Sequence, residues 1–232
     1  MSSLVLGERF MIAPTSYSCM YGKVVWQEGG DAIMHFSDGT TSCDFSESHE
    51  DWLRIGRDER IAYIAGPMRG REYYNADSFN FAYKCLLNAG YDYIINPVAA
   101  DYDAGFDYYD LPKFQDWNEV PLGFSLELAA ARCMHSVSIC DEIVLLPGWR
   151  ESAGAMAEYH TALWLEKDVL SISFYKQDDG EIGYHIEEIE HLSKPEPAKP
   201  YTLGRAISEY SGRFFKAITG AKNGSQDKSI GR

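Results

Sequence analysis

The spacing of apolar and polar residues divides the chain into two parts that predict different kinds of sheet. Up to residue 57, short stretches of β-prone residues are separated by turns rich in Gly, Ser and Asp, which is typical of antiparallel strands. From Ile61 onward, apolar runs long enough for a buried strand alternate with segments long enough for a helix. That alternation predicts an α/β unit with a parallel sheet and helices on both faces.

Residues 1–57 are predicted to form a small antiparallel sheet or an SH3-like barrel. Its strands are expected at Arg9–Ala13, Lys23–Trp26 and Ala32–Phe36. The segment Ser37–Thr40 is a strong hairpin signal, because Asp-Gly supplies the positive φ that a type I′ turn needs. We interpret this part as an accessory domain that covers an edge or mediates association. A ligand-binding module is the alternative, although the segment carries no basic patch.

Residues 58–192 are predicted to form the α/β domain. Its strands are expected at Ile61–Ala65, Tyr91–Ile95, Asp141–Leu146 and Val169–Phe174. The first helix is expected at Phe79–Asn88, with a cap at Asp77 or Ser78. The second can begin at Pro121 and includes Leu126–Val137. The third is expected at Ala153–Lys167.

Three further segments complete the prediction. Asp101–Val120 is acidic, aromatic and too irregular for a helix or strand, and long loops of this kind are often lids or binding loops. A small hairpin and a short acidic helix at Ile186–His191 are expected after the last strand. Residues 193–232 are expected to be a proline-rich linker, a short helix (Leu203–Ile218) and a disordered tail.

Composition narrows the range of partners. The 232 residues carry a formal net charge of −14, which disfavours a nucleic-acid polymer because phosphate neutralisation needs clustered Lys and Arg. A small nucleotide is still compatible, since helix N-termini and backbone amides can hold one phosphate. The five cysteines show no CxxC spacing, which fits reduced thiols in the cytoplasm. Nothing resembles a signal peptide, and no apolar run reaches the ~18 residues of a membrane span. We therefore expect a cytoplasmic protein without a membrane partner.

The most informative stretch runs from Asp141 to Thr161, DEIVLLPGWRESAGAMAEYHT. An apolar run ends at Pro147-Gly148, a short polar loop follows, and a segment with good helix propensity then carries Glu158. This pattern predicts strand, loop and helix, with Ser152 and Gly154 where the N–H groups of the new helix are unpaired. Because α/β proteins bind ligands at the carboxyl edge of the sheet, this loop is the predicted ligand site.

Two motifs together resemble a known family. Tyr63-Ile-Ala-Gly66-Pro67-Met-Arg-Gly70 is followed by DEIVLLPGW and by Ser152-x-Gly154-x-x-x-Glu158. This order resembles the nucleoside 2-deoxyribosyltransferase superfamily, and within it a phage and bacterial branch of unknown function that carries IYIAGPM and LLPGW. The resemblance extends over about Ile61–Phe174, and the two motifs in order are more specific than either alone.

The resemblance implies a flavodoxin-like sheet and an enzyme that cleaves or transfers the N-glycosidic bond of a 2′-deoxynucleoside or its 5′-monophosphate. Glu158 matches the nucleophile that attacks C1′, since a carboxylate can stabilise an oxocarbenium-like transition state and bond to the anomeric carbon. Tyr63 matches the tyrosine that orients this nucleophile. No metal or redox cofactor is implied.

The resemblance also implies two walls for the substrate and a homo-oligomer. One wall is the loop that holds the 5′-phosphate or 5′-hydroxyl in relatives, and it contains Gly148, Trp149, Ser152 and Gly154. The opposite wall consists of Gly66, Pro67, Arg69 and Gly70. Relatives commonly associate, and residues of a neighbouring subunit can complete their sites. A phage-encoded member would act in the host cytoplasm.

One position departs from the family pattern. Relatives carry an Asp that protonates or positions the leaving base where this chain has Cys133, and a thiol is a poor general acid for this purpose. Glu127, Asp116 or Asp141 could substitute. The departure supports an alternative, a non-catalytic nucleotide-binding or sensor protein on the same fold.

The individual residues also have structural interpretations. Glu158 could be a solvated helix carboxylate, Ser152 only a helix cap, and Trp149 a packing residue. The Gly66–Gly70 loop does not form GxGxxG and the chain lacks the Gly-Lys-Ser/Thr of a P-loop, so dinucleotide oxidoreduction and NTP hydrolysis are weak alternatives.

Overall fold

A computed structural model describes residues 4–12, 19–28, 31–43, 52–103, 105–111 and 125–189. The chain divides into two compact units, Met1–Glu190 and His191–Arg232, and every described residue lies in the first. The predicted linker, short helix and tail at 193–232 therefore lie outside the described residues, as do Pro121 and Asp116.

The first sheet is antiparallel and comes from the N-terminal part, as predicted. Its strands are β1 (Arg9–Ile12), β2 (Met20–Glu28), β3 (Asp31–Phe36), β4 (Thr41–Ser42) and β5 (Leu53–Ile55), in the order β4-β3-β2-β1-β5. Small and large apolar side chains, among them Phe10, Val24 and Met34, fill its core. We call this the N-terminal sheet.

The hairpin between β3 and β4 forms where the Asp-Gly pair predicted it, but not with the predicted turn type. Gly39 has a φ of 89°, whereas the φ of Asp38 is not positive, and a type I′ turn requires positive φ at both residues. The Asp38 carboxylate instead accepts hydrogen bonds from the backbone N–H and the hydroxyl of Thr40, at 2.8 and 2.6 Å. Local side-chain capping therefore selects this turn.

The second sheet is mostly parallel. Its strands are β6 (Ile61–Ala65), β7 (Tyr93–Ile95), β8 (Glu142–Leu145), β9 (Asp168–Lys176) and β10 (Ile182–Glu188), in the order β10-β9-β8-β6-β7. All neighbours are parallel except β9 and β10, which pair antiparallel over seven residues. The acidic helix predicted at Ile186–His191 is therefore wrong. Tyr184 and Ile186 pack on the core while His185 between them and Glu187 after them are exposed, and this period of two is that of a strand.

Four helices connect these strands within the described part of the chain. They are α1 (Ala76–Asn88), α2 (Pro97–Asp103), α3 (Leu126–Ile139) and α4 (Ala153–Trp164). The cap predicted at Asp77 or Ser78 is wrong, because α1 begins after Asn75, whose amide donates to the carbonyl of Pro67 at 2.9 Å. The irregular loop predicted from Asp101 is also wrong at its start, since Asp101 lies in α2.

The helices cover both faces of the second sheet, and alternate residues of β6 show this. Ile61 and Tyr63 face a core shared with α3, α4 and the N-terminal sheet. Ala62 and Ile64 face a core shared with α1 and α2. All five residues of β6 are buried, which explains why this strand reads as an uninterrupted apolar run.

The N-terminal sheet packs directly on the α/β part. Tyr21 contributes to the core beneath β6, and its hydroxyl accepts a hydrogen bond from the backbone N–H of Ile94 at 3.2 Å. Arg9 is buried and forms an ion pair with Asp141, and it also donates to the carbonyl of Glu59 at 3.0 Å. The N-terminal sheet is therefore fixed to the α/β part by apolar burial and by a shielded ion pair. No helix in the described ranges has the length and apolar content needed to cross a membrane.

Candidate functional site

The strand order creates a crevice at the carboxyl edge of the second sheet. The chain leaves β6 towards β7 on one side, and it leaves β8 towards β9 on the other. Loops that leave neighbouring parallel strands in opposite directions diverge, and ligands of α/β proteins bind in the gap between them. Of the predicted site residues, Tyr63 lies on β6, and the others lie in the loops that follow β6 and β8 or in the helix α4.

Tyr63 and Glu158 meet as the sequence motifs predicted. Tyr63 is the third residue of β6, and its hydroxyl donates a hydrogen bond of 2.7 Å to Oε1 of Glu158 on α4. Both side chains are buried, with relative exposures of 1% and 6%. Glu158 is therefore not a solvated helix carboxylate, and none of the cations among the described residues forms an ion pair with it.

Burial raises the pKa of Glu158 from its ordinary value of 4.5 to about 7. Desolvation is the largest cause, and hydrogen bonds from Cys133 and Tyr63 oppose it because they favour the carboxylate. Burial also raises the pKa of the Tyr63 hydroxyl well above its ordinary value, so Tyr63 remains a donor. A carboxyl group that titrates near neutrality is characteristic of functional sites.

Cys133 completes this buried cluster. Its thiol makes hydrogen-bond contacts with Glu158 and with Tyr63. Burial, and next the charge of Glu158, raise the pKa of the thiol well above its ordinary value. Cys133 is therefore a neutral donor to Glu158 and does not supply the acid that the family pattern has at this position.

The two loops predicted as opposite walls lie against each other at their bases. A Cβ on Gly66 would come within 2.7 Å of Leu146 at the end of β8, so only glycine permits this approach. Gly148 has a φ of 80°, and a Cβ there would lie 3.7 Å from Pro67. Further out, Arg71 and Glu151 form an exposed ion pair at 3.3 Å.

The remaining predicted wall residues have different environments. Arg69 and Gly70 are exposed in the loop after β6. Trp149 is buried and packs on Tyr159, with ring centroids 4.7 Å apart, which agrees with its interpretation as a packing residue. Ser152 caps α4, since its hydroxyl accepts from the backbone N–H of Ala155 at 3.3 Å. Gly154 is exposed one residue into that helix.

A small cavity of about 60 Å³ adjoins the Tyr63–Cys133 side of the cluster. Its acidic residue is Asp101, which lies on α2 just beyond the end of β7. Asp101 accepts hydrogen bonds from the hydroxyl of Tyr108 at 2.5 Å and from Nη1 of Arg132 at 3.0 Å. Burial raises the pKa of Asp101 above its ordinary value, and its two partners oppose that shift.

The N-terminal sheet contributes to this cavity. Ser37, which follows β3, lines the cavity, and the carbonyl of Asp38 accepts a hydrogen bond from Nε of Arg132 at 3.2 Å. Arg132 is thereby held between a carbonyl of the N-terminal sheet and the carboxylate of Asp101.

Asp101, Arg132 and Tyr108 were not among the predicted site residues. Asp101 follows the Asn-Pro pair that ends β7, and β7 is the neighbour of β6. A carboxylate one helical turn beyond the end of a strand parallel to β6 was the sequence signal for it. The acidic and aromatic composition of 101–120 hides this signal, because it favours an irregular loop over a helix.

Two of the three acids proposed as substitutes for the missing Asp lie away from the cluster. Asp141 is held by Arg9 and by the backbone N–H of Ile61, at 2.9 Å from the latter. Glu127 is exposed in the first turn of α3, and Asp116 lies outside the described residues. Within the described ranges, no group of three or more His, Cys, Asp or Glu side chains is arranged to hold a metal ion.

Comparison with known proteins gives one match. Residues 60–171 match the family described as "Domain of unknown function (DUF4406)". The matching segment begins just before β6 and ends within β9, so it contains Tyr63, Asp101, Cys133 and Glu158 but not the N-terminal sheet. No curated protein and no solved structure matches the chain.

Proposed function

We propose that the protein cleaves or transfers the N-glycosidic bond of a 2′-deoxynucleoside or its 5′-monophosphate, with Glu158 as the nucleophile. The observation that supports this most is the buried hydrogen bond of 2.7 Å between Tyr63 and Glu158. It brings together two residues from motifs 95 positions apart, at the edge of the sheet where such folds bind ligands.

In the proposed reaction, a carboxylate oxygen of Glu158 bonds to C1′ while the bond from C1′ to the base nitrogen breaks. The base leaves with the bonding electrons and takes up a proton, and a glycosyl ester of Glu158 remains. Water or a second base then attacks C1′ and releases the carboxylate. Tyr63 holds the carboxylate in one orientation by donating to the oxygen Oε1.

Asp101 is the residue that we assign to the leaving base. It lines the same cavity as Tyr63 and Cys133, and burial shifts the pKa of its carboxyl group upwards, which is the direction that a proton donor needs. Arg132 at 3.0 Å then stabilises the carboxylate that results. This assignment supplies the acid that Cys133 does not.

A substrate requires local movement. The cavity of about 60 Å³ is small beside typical ligand pockets of ~300–1,000 Å³. Met68, a half-buried residue of the loop after β6, lines it, and methionine side chains adapt readily to a ligand. We therefore assign the opening of the cavity to the loop that contains Met68 and Arg69.

Release of free base tests the proposal. The protein is incubated with deoxynucleosides and with their 5′-monophosphates, with and without an acceptor base, and free base is followed by chromatography. Glu158→Gln should reduce release to background, and Asp101→Asn should reduce it at least tenfold, a typical contribution of general acid catalysis being ~10²–10⁴. Release that is undiminished in Glu158→Gln would exclude Glu158 as the nucleophile.

The second candidate is a non-catalytic nucleotide-binding or sensor protein. The observation that favours it is the position of Glu158 behind Tyr63 and Cys133, which line the cavity while Glu158 does not. This candidate predicts saturable nucleotide binding without turnover. Cys133→Asp distinguishes the two, because restoring the family's carboxyl group should increase base release only if Glu158 can reach C1′.

Finer features of the fold and assembly belong to the same proposal. The strand order β7-β6-β8-β9 supports a flavodoxin-like class for the parallel part, and five antiparallel strands support an SH3-like class for the N-terminal sheet. A homo-oligomer in the cytoplasm is proposed from the family resemblance, and light scattering of the purified protein would test the assembly.

A further inference from the structure

A second and larger cavity lies on the α1 and α2 side of the sheet. Its volume is about 420 Å³, within the range of ~300–1,000 Å³ typical of small-molecule sites. Described residues of α1, of α2 and of the segment after α2 line it. The Glu158 cluster faces the other core, with α3 and α4, so this cavity is separate from the one that adjoins the Glu158 cluster.

Five of its 11 lining residues are aromatic. They are Tyr83 of α1, Tyr102 of α2, and Phe106, Tyr108 and Tyr109 of the following segment. Phe106 and Tyr108 pack edge to face with centroids 4.9 Å apart, so these walls support one another. Flat walls of this kind favour a planar ring, since stacking uses the face of any aromatic system.

Two amide side chains give the cavity polar groups. Nδ2 of Asn96 donates to Oδ1 of Asn80 at 3.0 Å, and Oδ1 of Asn96 accepts from the backbone N–H of Val98 at 3.1 Å. Asn80 also bonds to the Tyr109 hydroxyl. Both carbonyl oxygens are thus engaged, while each amide nitrogen has a second N–H to offer. The cavity therefore presents donors to a ligand that carries acceptors.

The charges at the cavity favour an uncharged ligand. One cation, Lys84, and one carboxylate, Asp107, line it, and the carboxylate of Asp107 already accepts from the backbone N–H of Tyr109 at 2.9 Å. The protein as a whole carries a net charge of −14, which opposes binding of a phosphorylated ligand.

We propose that this cavity, the aromatic cavity, is a binding site for a neutral planar heterocycle with carbonyl or ring-nitrogen acceptors, the chemistry of a free nucleobase. The ring stacks on the tyrosine walls and accepts hydrogen bonds from Asn80 and Asn96. Tyr108 connects it to the small cavity, because Tyr108 lines both and its hydroxyl donates to Asp101. A bound ring therefore contacts the residue that holds Asp101.

Equilibrium titration with uracil and adenine tests the site. Binding is followed by saturation-transfer NMR and calorimetry in the wild-type protein and in Asn80→Leu, which keeps the side-chain volume but removes the amide. Tyr83→Leu removes one wall and serves as a second variant if Asn80→Leu does not fold. Asn88→Leu is the matched control, since Asn88 is exposed at the end of α1 and does not line the cavity.

We expect saturable binding in the wild type and in Asn88→Leu, with affinity at least fivefold weaker in Asn80→Leu and in Tyr83→Leu. Dihydrouracil keeps both carbonyls but lacks the aromatic ring, and it should bind at least fivefold more weakly than uracil. Glu158→Gln should bind as the wild type does, which separates this result from the fate of the proposed reaction. Absence of saturable binding, or equal affinity in the wild type and both cavity variants, would overturn the proposal.

Discussion

The raised pKa of Glu158 makes a quantitative prediction about stability that does not depend on any substrate. In the unfolded chain Glu158 titrates near 4.5, and in the folded protein it titrates near 7. Below pH 4.5 both states are protonated there and the group has no effect on the free energy of unfolding. Between pH 4.5 and about 7, Glu158 ionises in the unfolded state but stays mostly protonated in the folded state. The free energy of unfolding therefore decreases as pH rises over this interval.

The two pKa values give the size of the effect. One pKa unit corresponds to about 1.4 kcal/mol, and linkage then gives a cost of about 1 kcal/mol at pH 5 and about 3 kcal/mol at pH 8. Glu158→Gln has no charge at either pH and escapes this cost. The free energy of unfolding of the variant, relative to wild type, should therefore increase by about 2–3 kcal/mol between pH 5 and pH 8.

Urea denaturation at the two pH values measures this change. The comparison cancels any fixed packing cost of the amide, because that cost is the same at both pH values. Glu151→Gln is the control, since the Glu151 side chain is 78% exposed and its substitution should have the same effect at pH 5 and pH 8. An equally constant effect for Glu158→Gln would show that the folded protein does not perturb the ionisation of Glu158, and would refute the raised pKa of this group.

Three further substitutions test how the site is supported. Arg9→Met should lower the free energy of unfolding by about 2–4 kcal/mol, because it leaves a shielded carboxylate and two carbonyls without their donor. Arg54→Met removes a half-exposed ion pair and should lower it by less than about 1 kcal/mol. Equal losses in chemical denaturation would contradict this ranking. Ser152→Ala should cost about 1 kcal/mol by removing the cap of α4, and a denaturation midpoint equal to that of wild type would show that the hydroxyl does not cap. His35 stacks on His135 with centroids 4.4 Å apart, and burial lowers its pKa below 6.5, so protonation of the unfolded state destabilises the protein as pH falls below 6.5. The free energy of unfolding of His35→Phe, relative to wild type, should therefore increase between pH 7 and pH 5.5, and a constant difference would exclude His35 as a source of pH dependence.

The order and type of most helices and strands could be predicted, because the period of apolar residues and the turn-forming residues are both visible in a short stretch of sequence. The buried runs at Ile61–Ala65 and Asp141–Leu146 became the central parallel strands β6 and β8. The predictions that were wrong concern segments whose state depends on distant neighbours. Ile186 lies in a strand because β9 offers an edge to pair with, and its acidic, helix-prone neighbours gave no sign of that edge.

The pair of Tyr63 and Glu158 could be predicted because each lies in a recognisable motif, and the structure brings them together at 2.7 Å. The third residue of the proposed site, Asp101, could not be predicted in the same way. Asp101 reaches the site only because α2 folds back over the end of β7, and it is held there by Arg132 of α3 and Tyr108. The sequence shows that Asp101 follows β7 by about one helical turn, but its place in the same cavity as Tyr63 is a product of tertiary packing.

The hydrogen bond from Arg132 to the carbonyl of Asp38 has a consequence for how the protein can be divided. The segment 60–171 that matches a family contains every residue assigned to the reaction, yet Arg132 is positioned from outside it. A chain cut to that segment would also expose the core face that Tyr21 and Ile55 cover and would leave β9 as a bare sheet edge without β10. The segment that matches a family is therefore shorter than the segment needed to hold the site residues in place.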